Sequence, residues 1–347
     1  MNAKLLDSPV KTTFLPPLHR SFSKMFSLKY LSLGVLIFQN SILVLLLRYT
    51  RTAISPGELV YLASTAVLLA EILKIVICIF FLLRDAFWNI KRFLYSVHSE
   101  AIVNWKDSLK LLVPAALYVI QNNLLYLAIT NLDAATYQVT YQLKILTTAV
   151  FSVLLLNSKL NVMKWFSLVI LMLGVVIVQV YSAKSTSSNS VHSGSQFIGL
   201  FAVLSACISS GFSGVYFEKI LKGSSTSLWM RNLQLAFFSI IFAFAGIILN
   251  DLKPVLENGF FQGYNRFVWL SVVIQGLGGL LIGAVVKYAD NILKGFATSL
   301  SIVASSLASY YIFNDFEPSG YFFCGASFVL LATYLYSLPA PPEITKN

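Results

Sequence analysis

Lys144 is the residue of this 347-residue chain that asks most for an explanation, because it stands near the middle of a long apolar stretch. In TYQVTYQLKILTT, Tyr137, Tyr141, Lys144 and Thr148 recur at i, i+4, i+7 and i+11, one face of a helix. Tyr118 and Asn122 share a face of the preceding stretch, YVIQNNLLYLAIT, which also carries Gln121 and Asn123. A lysine at the centre of a membrane helix costs about 2.5–3.5 kcal/mol on insertion scales, so a cation there needs an anion or water. Phenol and amide groups beside it add hydrogen-bond donors and flat faces for stacking. The chemistry indicated is capture of an anion in a solvated internal site. Taken alone, the amides, including Gln138 and Gln142, suit a polar seam that only glues helices equally well.

These groups need apolar helices to carry them, and the composition supplies little else. Hydrophobic residues make up 57% of the chain and charged ones 11%, with a mean hydropathy of +0.76; a soluble chain carries about a quarter charged residues. Ten apolar segments follow one another at 31–47, 60–83, 109–130, 134–156, 162–181, 197–221, 228–249, 267–288, 294–313 and 319–338, most of them long enough to span a bilayer. The expected fold is an all-α polytopic membrane protein of ten transmembrane helices. The net charge of +11 does not indicate nucleic acid, since the basic residues border apolar segments and form no soluble patch. Cys78, Cys207 and Cys324 lie inside apolar runs and imply neither a disulfide framework nor a metal site.

The tight Asn131-Leu132-Asp133 turn makes the third and fourth helices antiparallel neighbours, with Asp133 or Asn131 capping the fourth. Residues 182–195, rich in Ser, Thr and Asn, divide the chain near its midpoint. The organisation read from this is a tail at 1–28, a five-helix half at 29–181, the linker 182–195, a second half at 196–338 and a tail at 339–347. An odd-numbered repeat re-enters upside down, so the two halves are expected to be inverted, with a site between them. Threading the segments alternately puts Arg48, Arg51, Lys184, Lys253 and Arg266 on one side and most other basic residues with the termini, which makes both termini cytosolic. The polar stretch 84–107 is expected to lie along the membrane surface. Glu71 and Lys74 read as a mutually neutralising pair, and Glu218 and Lys222 as a surface pair at a helix end.

Five blocks are more specific: QNNLLYLAI, NLDAATYQVTYQLKILTT, SSGFSGVYFEKILK, WMRNLQL and KYADNILKGFATSLSIV. Together they closely resemble the nucleotide-sugar transporters of the Golgi, within the drug/metabolite transporter superfamily, over about residues 28–338. The resemblance implies a ten-helix bundle exchanging a cytosolic nucleotide sugar for a luminal nucleoside monophosphate. It implies that Lys144 meets the ligand phosphates and that Lys294 is a second basic contact. It also implies that Asn122 and Tyr137, with Tyr118 close by, are pocket positions, and that Ser210, Gly214 and Asn232 surround the nucleoside. Ala236 and Phe238 stand where members carrying CMP-sialic acid have Tyr and Ser, which favours the UDP-sugar branch. GSQF and FFQGYNR resemble the UDP-N-acetylglucosamine carriers, whereas KGSSTSLWMRNLQL and YLYSLP resemble the UDP-galactose carriers. The reading leans to the first, and both sugars remain open.

An embedded sugar-nucleotide enzyme is the competing class. Metal-dependent chemistry of that kind wants clustered carboxylates. Here Glu71 and Glu218 each have a lysine beside them, Asp290 stands alone among acids, and His19, His98 and His192 are scattered. Catalysis, a cofactor and a metal are therefore not expected. A non-transporting scaffold would explain the helices but not Lys144. The expected partners are a UDP-sugar, UMP and the lipid bilayer, with a homo-oligomer left open.

Overall fold

The computed structural model describes residues 17–52, 59–132, 134–184, 195–313 and 319–338, with no strand among them. In chain order the helices are α1 (Pro17–Thr52), α2 (Ala63–Asp85), α3 (Ile90–Val97), α4 (Trp105–Leu109), α5 (Leu112–Asn131), α6 (Ala134–Tyr141) and α7 (Lys144–Leu156). They continue as α8 (Val162–Lys184), α9 (Gln196–Lys222), α10 (Leu228–Gly246), α11 (Leu252–Asn258), α12 (Arg266–Tyr288), α13 (Asn291–Phe313) and α14 (Gly320–Ser337). Single π-helical turns join α3 to α4 and α10 to α11.

Among the described residues nine stretches are long and apolar enough to cross a membrane: Leu28–Thr50, Ala63–Asp85, Thr136–Leu156, Val162–Gln179, Gln196–Lys222, Leu228–Asn258, Arg266–Tyr288, Asn291–Ile312 and Gly320–Ser337. The 20-residue α5 is not one of them, so the tenth crossing is argued below as a proposal. α1 starts at Pro17 and so carries the helix into the expected N-terminal tail. Asp133 and most of the linker lie outside the described residues, and Asn131 donates back to the Leu127 carbonyl at 2.8 Å.

Polarity is distributed as lipid requires. Phe38 and Phe201 are 68% and 66% exposed, whereas Gln121, Gln142, Ser213, Asn232 and Ser301 are buried. Large apolar side chains on the outside and small polar ones inside are how helices pack when the surroundings are as apolar as leucine. On α13, buried Ser299, Ser301 and Ser305 donate to carbonyls of their own helix, so none is left unsatisfied in the interior. This is an all-α, multi-pass membrane protein.

The packing pairs recur in exchanged form. α5 packs on α9 as α1 does on α12, α7 on α9 as α1 on α13, and α5 on α10 as α2 on α12. The pairs α2–α10 and α8–α14 map onto themselves under the same exchange.

The polar stretch after α2 is fastened to α10 by a buried network. Arg231, 1% exposed, pairs with Asp107 and donates to Gln234 at 3.1 Å and Ser224 at 3.2 Å. Gln234 in turn donates to the Ser108 hydroxyl at 3.0 Å and the Glu100 carbonyl at 3.1 Å. Hydrogen bonds from Lys110 and then from Arg231 hold the Asp107 carboxyl below the ordinary carboxylate range. Because the folded value is lowered, this stabilisation is present above the unfolded value of about 3.9 and fades as pH falls through the lower folded one. Asp107→Ala strands the Arg231 charge in the interior, and breaking a buried pair costs about 3–5 kcal/mol. Asp107 is 37% exposed, and water screens it, so a loss of about 3 kcal/mol is expected. Thermal unfolding of wild type and variant against pH checks this: the gap should be full near neutrality and narrow below about pH 4.

Candidate functional site

Lys144 opens a new helix and does not continue an old one. Between α6 and α7 the chain tightens: Gln142, Leu143 and Ile145 donate to the carbonyls three residues back, at 3.2, 3.1 and 3.0 Å. The apolar stretch therefore crosses as two pieces, although it contains neither proline nor glycine at the break. Mid-helix tightening of this kind often marks a hinge. On α6, just before the break, Tyr137 and Tyr141 stack, with ring centroids 5.8 Å apart and planes 11° from parallel. The Lys144 ammonium sits 3.9 Å from the Tyr141 ring centroid. A tyrosine face is a favourable but partial substitute for an anion.

Neighbouring helices fix this face. The Tyr141 hydroxyl accepts from Gln121 at 3.2 Å and lies near the Ser210 side chain. One turn on, Ser213 donates to the Ser210 carbonyl at 3.2 Å, and its oxygen meets the Tyr118 hydroxyl. Thr147 donates to the Cys207 carbonyl at 2.8 Å. That approach requires Gly211, where an added Cβ would stand 2.6 Å from the Thr147 hydroxyl. The amides divide between two jobs. Gln121 orients Tyr141, whereas Gln142 donates to Gln179 of α8 at 2.6 Å and glues helices.

Lys294 arrives from the other side through the turn Ala289-Asp290-Asn291. Asp290 caps α13 by accepting from the Leu293 amide at 2.7 Å. Glu218 accepts from the Asn291 amide at 2.9 Å, and Lys222 donates to the Ala289 carbonyl at 2.6 Å. The Glu218–Lys222 pair is thus not the surface pair expected from its spacing. Glu218 is 2% exposed, and the pair seals the turn between α12 and α13. Lys294 in the first turn of α13 comes close enough to Lys144 for the two charges to interact. Both side chains are half-buried.

A cavity of about 1000 Å³, walled by α2, α5, α10 and the 60–64 and 246–262 segments, reaches this cluster at Tyr118. Tyr118 and Asn122 face it. So do Glu71 and Lys74, 2.6 Å apart. The expected pair is present, but it is a charged patch on the cavity wall, which its spacing did not reveal. An intramembrane pair facing water was the signal available.

The remaining expected residues are packed elsewhere. Asn232 is buried, donates to its own Leu228 carbonyl at 2.9 Å, and lies against Gly283. Gly214 faces the Asn291 side chain, so its close approach is to α13. Phe238 packs against an apolar cluster with Leu111, Phe217 and Val286, and Ala236 is fully buried. Of the expected residues Tyr118 and Asn122 line the cavity; Tyr137, Tyr141, Lys144, Ser210, Gly214, Asn232, Phe238 and Lys294 are not among its lining residues. The structure therefore brings Tyr118, Tyr137, Tyr141, Lys144, Ser210 and Lys294 together, with Asn122 on the adjoining wall. Among the described residues no group of three or more His, Cys, Asp or Glu is placed to hold a metal.

Residues 24–337 match the sequence profile described as nucleotide-sugar transporter. The chain belongs to the nucleotide-sugar transporter family. It is 55% identical over 316 residues to a UDP-N-acetylglucosamine transporter of Homo sapiens, covering 91% of this chain and 97% of that one. It is 51% identical to a UDP-N-acetylglucosamine/UDP-N-acetylgalactosamine transporter of Caenorhabditis elegans, over 89% of this chain and 93% of that one. It is also 51% identical to a UDP-galactose translocator of Bos taurus, over 90% and 78%. A solved crystal structure aligns with a TM-score of 0.61 at 14% identity over 90% of this chain and 96% of that one, a likeness of fold. This is a family of transporters and not of enzymes.

Proposed function

We propose that this chain carries a UDP-sugar, UDP-N-acetylglucosamine, UDP-galactose or both, from the cytosol into the Golgi lumen in exchange for UMP. The observation behind this reading is the approach of Lys144 and Lys294 to each other, in a cluster that meets a cavity of nucleotide-sugar size at Tyr118. Two cations at membrane depth ask for a ligand with about two negative charges, which is what a diphosphate supplies. The names of the relatives supply its class. Tyr118, Tyr137, Tyr141 and Ser210 surround the phosphates and the flat parts of the ligand, and Asn122 meets the sugar end. Asn232, Phe238 and Gly214 act on the base through the helices they pack.

The architecture that suits this role is ten crossings in two inverted halves, 29–181 and 196–338, with both termini cytosolic. The exchanged packing pairs support the halves, and the one-sided basic residues support the orientation. α5, 20 residues or about 30 Å long, has the length of the remaining crossing.

Purified protein in liposomes tests the function with a panel of nucleotide sugars. Uptake of intact UDP-N-acetylglucosamine or UDP-galactose is expected, with UMP a far better competitor than CMP. A site built on hydrogen bonds rejects a mismatched partner much more strongly than an apolar one. Hydrolysis in place of uptake, or neither, overturns the reading; equal competition by UMP and CMP overturns only the base assignment.

A further inference from the structure

The corner between α2 and α3 is built in an unusual way. Trp88 donates to the Leu83 carbonyl at 2.8 Å and Phe87 to the Arg84 carbonyl at 2.9 Å, the bond pattern that ends many helices with a left-handed residue. Glycine usually takes that position. Here Phe87 and Trp88 occupy it in succession, with φ of 56° and 58°. Neither is compensated by burial in the protein: Phe87 is 80% exposed and Trp88 61%.

α3 then follows, started by Asn89, which accepts from the Arg92 amide at 3.2 Å. Its apolar residues Ile90, Phe93, Leu94 and Val97 fall at i, i+3, i+4 and i+7, one narrow face, with Lys91 and Arg92 on the other. Among the described residues nothing fully covers that face: Ile90 and Leu94 are exposed, and Phe93 and Val97 are half-buried. No residue of α3 is buried, and Ile90 is 65% exposed. The segment is continuous with the lipid-facing wall, since Trp88 meets Phe80 of α2 edge-on with centroids 5.5 Å apart. From 84 to 106 there are four basic residues against two acidic ones, and Arg84 already pairs with Asp85 at 3.1 Å.

We propose that residues 87–105 form an interfacial element that binds an anionic membrane leaflet. Phe87, Trp88, Ile90 and Leu94 lie at the acyl boundary, and Lys91 and Arg92 meet the phosphate and carboxylate groups of acidic lipids. Amphipathic helices with aromatic and basic residues lie in the interface in this manner, and each basic residue near an acidic surface adds attraction. The occupant of the exposed face is lipid, because the apolar face is level with the end of a membrane helix and the basic residues on the opposite face are opposite in charge to acidic headgroups. The inference rests on the membrane-spanning reading and not on the identity of the transported ligand. Gln234 of α10 donates to the Glu100 carbonyl within this element, and the Arg231–Asp107 pair lies just beyond its end, so the element is tied to α10.

The test uses the full chain with Cys324→Ser in nanodiscs, carrying a nitroxide at Ile90→Cys, Leu94→Cys or Lys91→Cys. In phosphatidylserine-rich discs, oxygen should reach the labels at 90 and 94 severalfold better than a water-soluble nickel chelate does, with the order reversed at 91. In phosphatidylcholine alone the contrast at 94 should fall by at least half, and Lys91→Glu with Arg92→Glu should produce the same fall in phosphatidylserine. Nickel reaching 90 and 94 as freely as 91 overturns the seating in lipid. A contrast indifferent to both headgroup and charge reversal overturns the preference for acidic lipid. UDP-sugar uptake measured on the same preparation reports separately on the transport reading.

Discussion

Lys144→Gln is expected to lose nucleotide binding by at least about 30-fold while remaining folded. Truncating one partner of a buried, hydrogen-bonded charge pair costs about 2–5 kcal/mol, and about 1.4 kcal/mol is a factor of ten in affinity. Glutamine keeps a donor, about one methylene closer to the backbone, but not the charge that balances the phosphates. The unliganded variant should be no less stable than wild type, because a neutral amide is easier to place at membrane depth than an ammonium. Its neighbours also stay satisfied: Tyr141 keeps Gln121, and the Lys144 carbonyl still accepts from Thr147 and Thr148. Lys159→Gln, in the loop between α7 and α8, removes the same charge and should change little. The measurement is the UMP-dependent shift in unfolding temperature of each purified protein. A wild-type shift for Lys144→Gln would place the anion site elsewhere.

Liposomes preloaded with UMP are expected to take up UDP-sugar about a hundred times faster than empty ones. A UDP-sugar carries about two negative charges, and UMP nearly as many at neutral pH because its second phosphate pKa is about 6. With either ligand bound, the charges of Lys144 and Lys294 are balanced and the site can be closed. Empty, it must occlude two cations that already repel each other, each costing about several kcal/mol once stripped of water. Glu218 lies within electrostatic reach of Lys294, but it is committed to Lys222 and to the Asn291 amide, so its relief is partial. Even a 3 kcal/mol difference, taken as an order of magnitude, is roughly a hundredfold in rate. Return of the empty carrier should therefore limit net uptake, and UMP on the far side should remove that limit. Equal rates from loaded and empty liposomes would sink obligatory exchange and leave the transporter assignment standing.

The two experiments separate two layers of the argument. The first asks whether the lysine binds; the second asks whether its charge governs the return step. A Lys144→Gln protein that binds weakly and no longer responds to internal UMP would join them.

The helices themselves were legible in the sequence, because the length of an apolar run is a local property. The segment expected at 267–288 is α12, Arg266–Tyr288, and that expected at 197–221 is α9, Gln196–Lys222. The oddity of Lys144 was also local: a cation among apolar residues is conspicuous whatever surrounds it. So was the face shared by Tyr137 and Tyr141, since periodicity fixes directions around one axis. What periodicity cannot give is which other axis that face meets. Glu218 and Lys222 have the spacing of a surface pair, and only the docking of α9 against the turn between α12 and α13 buries the glutamate. Arg231 looked like one more basic residue at a membrane border until Asp107, more than a hundred positions earlier, came to neutralise it. The break before Lys144 has no proline or glycine to announce it, and the tightened bonds appear only in the folded chain. The resemblance implied that Asn232 and Gly214 surround the nucleoside and set Phe238 at a position that distinguishes the UDP branch, yet Asn232 lies against Gly283, Gly214 against Asn291 and Phe238 in an apolar cluster. Sequence fixes what each helix can offer on each face; the contacts between helices, which are non-local and decided by small residues and buried charge, determine which offers are used.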